Sequence, residues 1–214
     1  MEQVDTSIKS LEELAKQYYK KDGQNQWPHI QRVKQQAERL AKWRNKPLTK
    51  EELAAIYFHD IGKAEAGNMD HGEWAATIAK PLLTDYLTPE QIETVITAIK
   101  AHNHDRPSPT PEADLLRSAD ANRPDLAWFL RKSYNKMKTQ GMSHKEALDN
   151  AMRMAKKHVV TAAQLKNRPE LYLKAFAKDI QKAEQAADKL STRDEVARLI
   201  DLYNKKHPTE SIYT

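Results

Sequence analysis

Apolar residues recur along this chain at intervals of three and four, the spacing that lays a stripe along one face of an α-helix. Ile30, Val33, Ala37, Leu40 and Ala41 form one stripe, and Ile92, Val95, Ile96 and Ile99 form another. No segment shows the alternation that a half-buried strand requires. Helix starts are written in the same local code. Thr49 with Glu52, and Ser143 with Glu146, have the spacing of capping boxes, in which each residue satisfies the other's free amide. Thr88-Pro89-Glu90 sets a cap residue before a proline at the first helical position and an acid in the first turn, and Pro28 opens a helix similarly. Breaks fall at 21–26, 44–48, 62–72, 106–111 and 140–141, with the proline-rich DRPSPTP as the clearest loop. The pattern predicts an all-α protein. A compact helical bundle is expected over residues 1–138, with helices over 139–214 that pack on this core or extend it.

Composition narrows the class. Of 214 residues, 39% are hydrophobic and 30% charged, which suits a globular chain with a well-solvated surface. Glycine is scarce at 5 residues, in keeping with helix. There are 0 cysteines, so disulfides and thiolate metal sites are excluded. The opening MEQVDTSIKS lacks the basic-then-apolar character of a secretory leader. No run approaches the roughly 18 apolar residues of a membrane span. A cytoplasmic protein with no membrane partner is therefore expected.

The net charge of +5 is uneven. From His59 to Asp125 there are 12 acidic and 6 basic residues; from Arg131 to Lys182 there are 13 basic and 4 acidic. A basic stretch can attract nucleic acid. Here the charges are spread out, so solvated helix faces are favoured over that partner.

The histidines change the picture most. Five of eight lie between His29 and His104, each at a predicted helix end. His29 opens a helix, and His59-Asp60 closes LAAIYF. His71 opens HGEWAATIA, and His102 and His104 close TVITAIKA. Asp120 ends LLRSA. Helix ends let ligands converge while the apolar stripes still pack, and imidazole with carboxylate suits a divalent metal where no thiolate competes. Tyr57, Phe58, Trp74 and Trp128 sit at helical spacing among aliphatics and are expected in the core. His144, His158 and His207 are expected to be solvated.

The order His29, His59-Asp60, Asp120 resembles the H…HD…D pattern of the HD phosphohydrolase superfamily, and HDIGK at 59–63 resembles its HDIG subgroup. The resemblance spans residues 27–124. It implies a first metal held by His29, His59, Asp60 and Asp120, with Asp60 bridging to a second held by His71 and His102. One or two divalent ions are implied, iron or manganese favoured over other first-row metals and magnesium, with His104 as a further candidate separated from His102 by Asn103. The ions would activate a water against the phosphorus of a small, nucleotide-like substrate. Lys63 and Arg123 would contact its phosphate, making Asp60, Lys63 and His71 the catalytic set. Gly62, Gly67 and Gly72 are expected to turn the backbone around the site. In single-metal relatives an acid soon after the HD pair activates water, a part open to Glu65 or Asp70. Dinucleoside polyphosphate hydrolases, nucleoside triphosphate pyrophosphohydrolases and 5′-nucleotidases share the ligand pattern. Alarmone and cyclic-dinucleotide hydrolysis fit less well. The rival readings are an HD-type iron oxygenase and a non-catalytic nucleic-acid-binding protein.

Overall fold

A computed structural model of the chain describes residues 2–21, 26–67, 69–103, 108–121, 125–158 and 169–207. Every regular element among them is a helix. In order they are α1 (Glu2–Lys21), α2 (Trp27–Trp43), α3 (Lys50–Phe58), α4 (His71–Leu82), α5 (Pro89–Ala101), α6 (Pro111–Asp120), α7 (Leu126–Thr139), α8 (His144–His158), α9 (Glu170–Ala175), α10 (Ala177–Lys189) and α11 (Arg193–Lys206). No helix among the described residues is long and apolar enough to cross a membrane.

The helices pack as two units, residues 1–121 with 169–175, and residues 122–168 with 176–214. In the first, α3 is the centre. Leu53 to Phe58 are all buried, and a short helix that is apolar all round is stable only when neighbours cover every side. Those neighbours are α1, α2, α5 and α6. The stripes read from the sequence do this work: Ile30, Val33 and Leu40 from α2, and Val95, Ile96 and Ile99 from α5, are buried.

The capping boxes form at Thr49–Glu52 and Thr88–Gln91. Thr88 therefore uses Gln91 as well as the expected proline and acid. The Ser143–Glu146 box also forms, with Glu146 N donating to Ser143 Oγ at 3.3 Å and Ser143 N to Glu146 Oε2 at 3.0 Å.

The second unit has its own apolar centre, including Leu126, Leu130, Leu148, Ala151, Val196 and Ile200. Arg193 and Asp149 pair at 2.6 Å on its surface. The sequence reading carried the core to residue 138, whereas α7 packs with α8 and α11 and the first unit ends at Ala121. The physical reason is that Leu126 and Leu130 are buried in the centre of the second unit. The short α9 likewise departs from a simple N-to-C division, because it packs on α2 and α6.

Among the aromatics, Tyr57 and Phe58 are core, as expected. Trp74 and Trp128 are half-buried, and Lys132 sits 5.0 Å from the centre of the Trp128 ring. His144 is exposed and bonded to the Tyr134 hydroxyl, while His207 stacks on Tyr203. The side chain of His158 lies outside the described residues.

Candidate metal centre

Five helices deliver the six candidate ligands. His59 and His102 are the C-cap residues of α3 and α5. The last turn of any helix leaves carbonyls without amide partners. In each case a carbonyl of the last turn takes up the histidine ring: Nδ1 of His59 lies 2.9 Å from Ile56 O, and Nδ1 of His102 lies 2.5 Å from Ile99 O, which also receives the His102 amide at 3.4 Å. A carbonyl can only accept, so Nδ1 carries the proton and Nε2 is left with a lone pair. One contact thus caps the helix, fixes the tautomer and aims the ring, the arrangement that metal-ligating histidines commonly use. His29 comes from the first turn of α2, His71 from the first residue of α4, and Asp120 from the last residue of α6.

These side chains meet at Asp60, which is 1% exposed. Its Oδ2 lies 3.3 Å from His29 Nε2 and 3.7 Å from His59 Nε2. Its Oδ1 lies 3.5 Å from His71 Nε2 and 3.6 Å from His102 Nε2. One carboxylate therefore faces two pairs of histidines with its two oxygens. Asp120 Oδ1 closes the first side, 3.2 Å from His29 Nε2 and 3.8 Å from His59 Nε2. Two overlapping groups have ligand atoms all within 4.8 Å of one another: His29, His59 and Asp120, and His59, Asp60 and His102.

The donors fit a divalent first-row ion. Nε2 of His102 is buried with no hydrogen-bond partner, although an unpaired polar atom in the interior is costly unless something else binds it. Burial pushes the His59 pKa down to about 4, against the pull of Asp60 and Asp120, so the ring is neutral as a ligand must be. His71 is also lowered, chiefly by burial and then by Lys63. Burial raises the Asp60 carboxyl, but His59, His102, His29 and Lys63 outweigh it and hold the group well below its usual range. Asp120 is held low against burial by its hydrogen bond to His29 and by His59.

His29 differs from the other rings. Arg32 Nη2 lies 2.7 Å from its Nδ1. A guanidinium only donates, so in the neutral ring the proton sits on Nε2, facing the carboxylates. Burial disfavours the charged form, yet hydrogen bonds to Asp120 and Asp60 and their charges raise the pKa overall. To act as a ligand, His29 must yield the Nε2 proton and Arg32 must leave Nδ1.

The ammonium of Lys63 lies 3.0 and 2.8 Å from the two Asp60 oxygens. Asp70 is the N-cap of α4, accepting from Gly72 N and Glu73 N, so its carboxylate has a structural use. Glu65 is exposed. Arg123 and His104 lie outside the described residues. Two contacts were not foreseen. Arg32 stands three residues after His29, a spacing that places both on one helix face and was visible in the sequence. Asn103 Nδ2 lies 3.1 Å from His71 Nδ1, for which the sequence holds no signal.

Of the glycines expected to turn the chain, Gly62 and Gly67 do so, with φ +70 and +58. Gly72 instead lies in α4, where a Cβ would come within 2.9 Å of the Ile99 carbonyl oxygen, a backbone atom that cannot step aside. A Cβ on Gly62 would also press on Ile78 Cδ1 and approach Trp74 Nε1 at 3.0 Å. For Gly62→Ala we expect a loss of about 1–3 kcal/mol from the left-handed backbone together with the crowding. Urea unfolding measures this, and an unchanged midpoint would contradict the account.

The titration of the site sets a second expectation, for metal-free protein. His59 takes a proton near pH 6.5 when unfolded but only near pH 4 when folded. Its contribution is therefore present above pH 6.5 and disappears as the pH falls from 6.5 to 4, by about 3 kcal/mol. His71 acts in the same direction. His29, with its raised pKa, contributes fully below 6.5 and loses this as the pH rises through its folded value, so it offsets part of the change. Urea midpoints in chelator should fall between pH 7 and 5; a rise would refute this balance.

Residues 27–123 match the family model for the HD domain. This segment is an HD domain. The match contains all six candidate ligands and covers α2 to α6, the helices that carry them. No curated protein and no solved structure matches the chain. Within the matched segment, His29, His59 and Asp120, and His59, Asp60 and His102, are grouped so that they could hold a metal.

Proposed function

We propose that this protein hydrolyses a phosphoester or phosphoanhydride bond in a small nucleotide-like molecule, with a divalent metal bound by His29, His59, Asp60 and Asp120 and a second by Asp60, His71 and His102. The supporting observation is the two-faced Asp60, whose oxygens address separate histidine pairs 3.3–3.7 Å away. Bound there, the metal supplies a water of lowered pKa and neutralises phosphoryl charge. The chain's own residues do the rest. Backbone carbonyls of Ile56 and Ile99 hold His59 and His102 in orientation, which avoids reorganisation during the reaction. Lys63, 41% exposed in its side chain, has a flexible stem that can carry its ammonium from Asp60 to a phosphate oxygen. Arg123 is proposed as a second phosphate contact. Iron or manganese is the favoured metal, and the cytoplasm the proposed location.

Metal analysis of the purified protein, followed by a phosphate-release screen across nucleoside monophosphates, triphosphates and dinucleoside polyphosphates, tests the reading. We expect bound first-row metal and turnover of at least one class. Full turnover by chelated, metal-free protein would sink it. Oxygen consumption in place of phosphate release would move the assignment to an oxygenase.

A further inference from the structure

A cavity of about 480 Å³ lies among residues of α1, the C-terminal half of α2, the α2–α3 turn and α3. None of the six candidate ligands lines it. Cavities of about 300–1,000 Å³ that are mainly apolar and carry a few placed polar groups are the usual form of a small-molecule site. Here Ile8, Ala41, Leu48 and Leu53 supply the apolar part. Lys34, Lys42 and Lys46 supply three ammonium groups against one carboxylate in the lining, Glu38.

The cations are not equivalent. Lys34 is committed to Glu12 at 3.0 Å, and Glu12 also accepts from the Tyr57 hydroxyl at 2.8 Å. Lys42 and Lys46 have exposed side chains with no ion-pair partner among the described residues. The wall they stand on is preformed. Arg44 clasps the buried Glu52 with two bonds of 2.7 and 2.6 Å and reaches the carbonyls of Lys46 and Pro47 at 3.4 Å. A wall fixed in advance lowers the ordering cost of binding. Carbonyls at the end of α2 carry partial negative charge, so an anion here must be received by the ammonium groups rather than by the backbone.

We propose that this cavity binds a small amphipathic anion, its apolar body against Ile8, Ala41, Leu48 and Leu53 and its single anionic head between Lys42 and Lys46. The site is separate from the metal centre, and the proposal stands whether or not the protein releases phosphate.

Two tryptophans report on it. Trp27 stacks on the lining residue Tyr57 with ring centroids 6.3 Å apart, and Trp43, 50% exposed, adjoins Lys42. Tryptophan emission of the full chain is titrated with octyl phosphate, octanoate, octanol and inorganic phosphate. We expect saturable changes with both octyl anions, with Kd below about 1 mM. Octanol should bind at least tenfold more weakly, and inorganic phosphate should give no saturable change.

The double variant Lys42→Glu/Lys46→Glu, altered only at exposed positions, should lose at least tenfold affinity for the anions and keep its response to octanol. Leu48→Glu should abolish all binding with an unchanged circular dichroism spectrum. No saturable response in the parent protein overturns the site. Equal affinity for octanol, saturable inorganic phosphate binding or an unaffected lysine variant overturns the anionic assignment.

Discussion

Asp60→Ala should abolish both metal binding and phosphate release, with turnover reduced at least about 1,000-fold because nucleophile activation and charge neutralisation fail together. The size of the effect follows from the geometry. Each histidine of the cluster lies 3.3–3.7 Å from one Asp60 oxygen, so a single substitution removes the carboxylate from both sides of the site. It also leaves Lys63 without its partner and takes away the anion that the buried His59 and His102 rings face. Metal analysis and a phosphate assay on the same preparation measure it, with helical circular dichroism as the control for folding. Glu65→Gln should keep activity within about threefold, since Glu65 is an exposed side chain and surface changes are usually small. If Asp60→Ala retained its metal, the bridging arrangement would be wrong. If Glu65→Gln lost turnover but not metal, water activation would pass to Glu65 and a single-ion mechanism.

The second large effect is on stability and arises from a pair outside the ligand set. Arg44→Ala should cost about 3–5 kcal/mol, the range for breaking a buried ion pair from one side. Glu52 is 2% exposed and accepts from Arg44 Nη1 and Nη2 and from Thr49 N at 2.9 Å. Without the guanidinium its carboxylate keeps one of those three bonds and no counter-charge. The melting temperature should fall by about 10 °C for a chain of this size. Arg44→Lys should recover only part of this, because an ammonium cannot match both oxygens at once. A loss under about 1 kcal/mol would mean that the pair behaves as a surface contact. The double variant Arg44→Ala/Glu52→Gln should be less damaged than Arg44→Ala alone, since it removes the unpaired charge.

Much of the fold could be read directly from the chain. The stripes of α2 and α5 and the caps at Thr49, Thr88 and Ser143 depend on residues within four positions of each other. Such signals are complete in a short window, whatever the rest of the chain does. The boundary of the first unit was not legible. The pattern of α7 says which face is apolar, but not which partner covers it, and Leu126 and Leu130 are buried with residues from α8 and α11. Lys63 shows the same limit at the level of one side chain. Its place in HDIGK carries no sign of the pairing with Asp60, which exists only once the turn after α3 brings the ammonium 3.0 and 2.8 Å from the two carboxylate oxygens.

The sequence by itself determined that the protein is helical, where most helices of the first unit start, and which imidazoles and carboxylates stand at their ends. It also carried the HD-domain signature over residues 27–123. Tertiary structure alone decided that Asp60 offers one oxygen to each of two histidine pairs, that carbonyls of Ile56 and Ile99 set the tautomers, and that Arg32 and Asn103 touch the rings of His29 and His71. The division has a physical cause. Helix formation and capping are settled between near neighbours, while the meeting of His29 with Asp120, 91 positions away, exists only once α2, α3, α5 and α6 bury their apolar faces together.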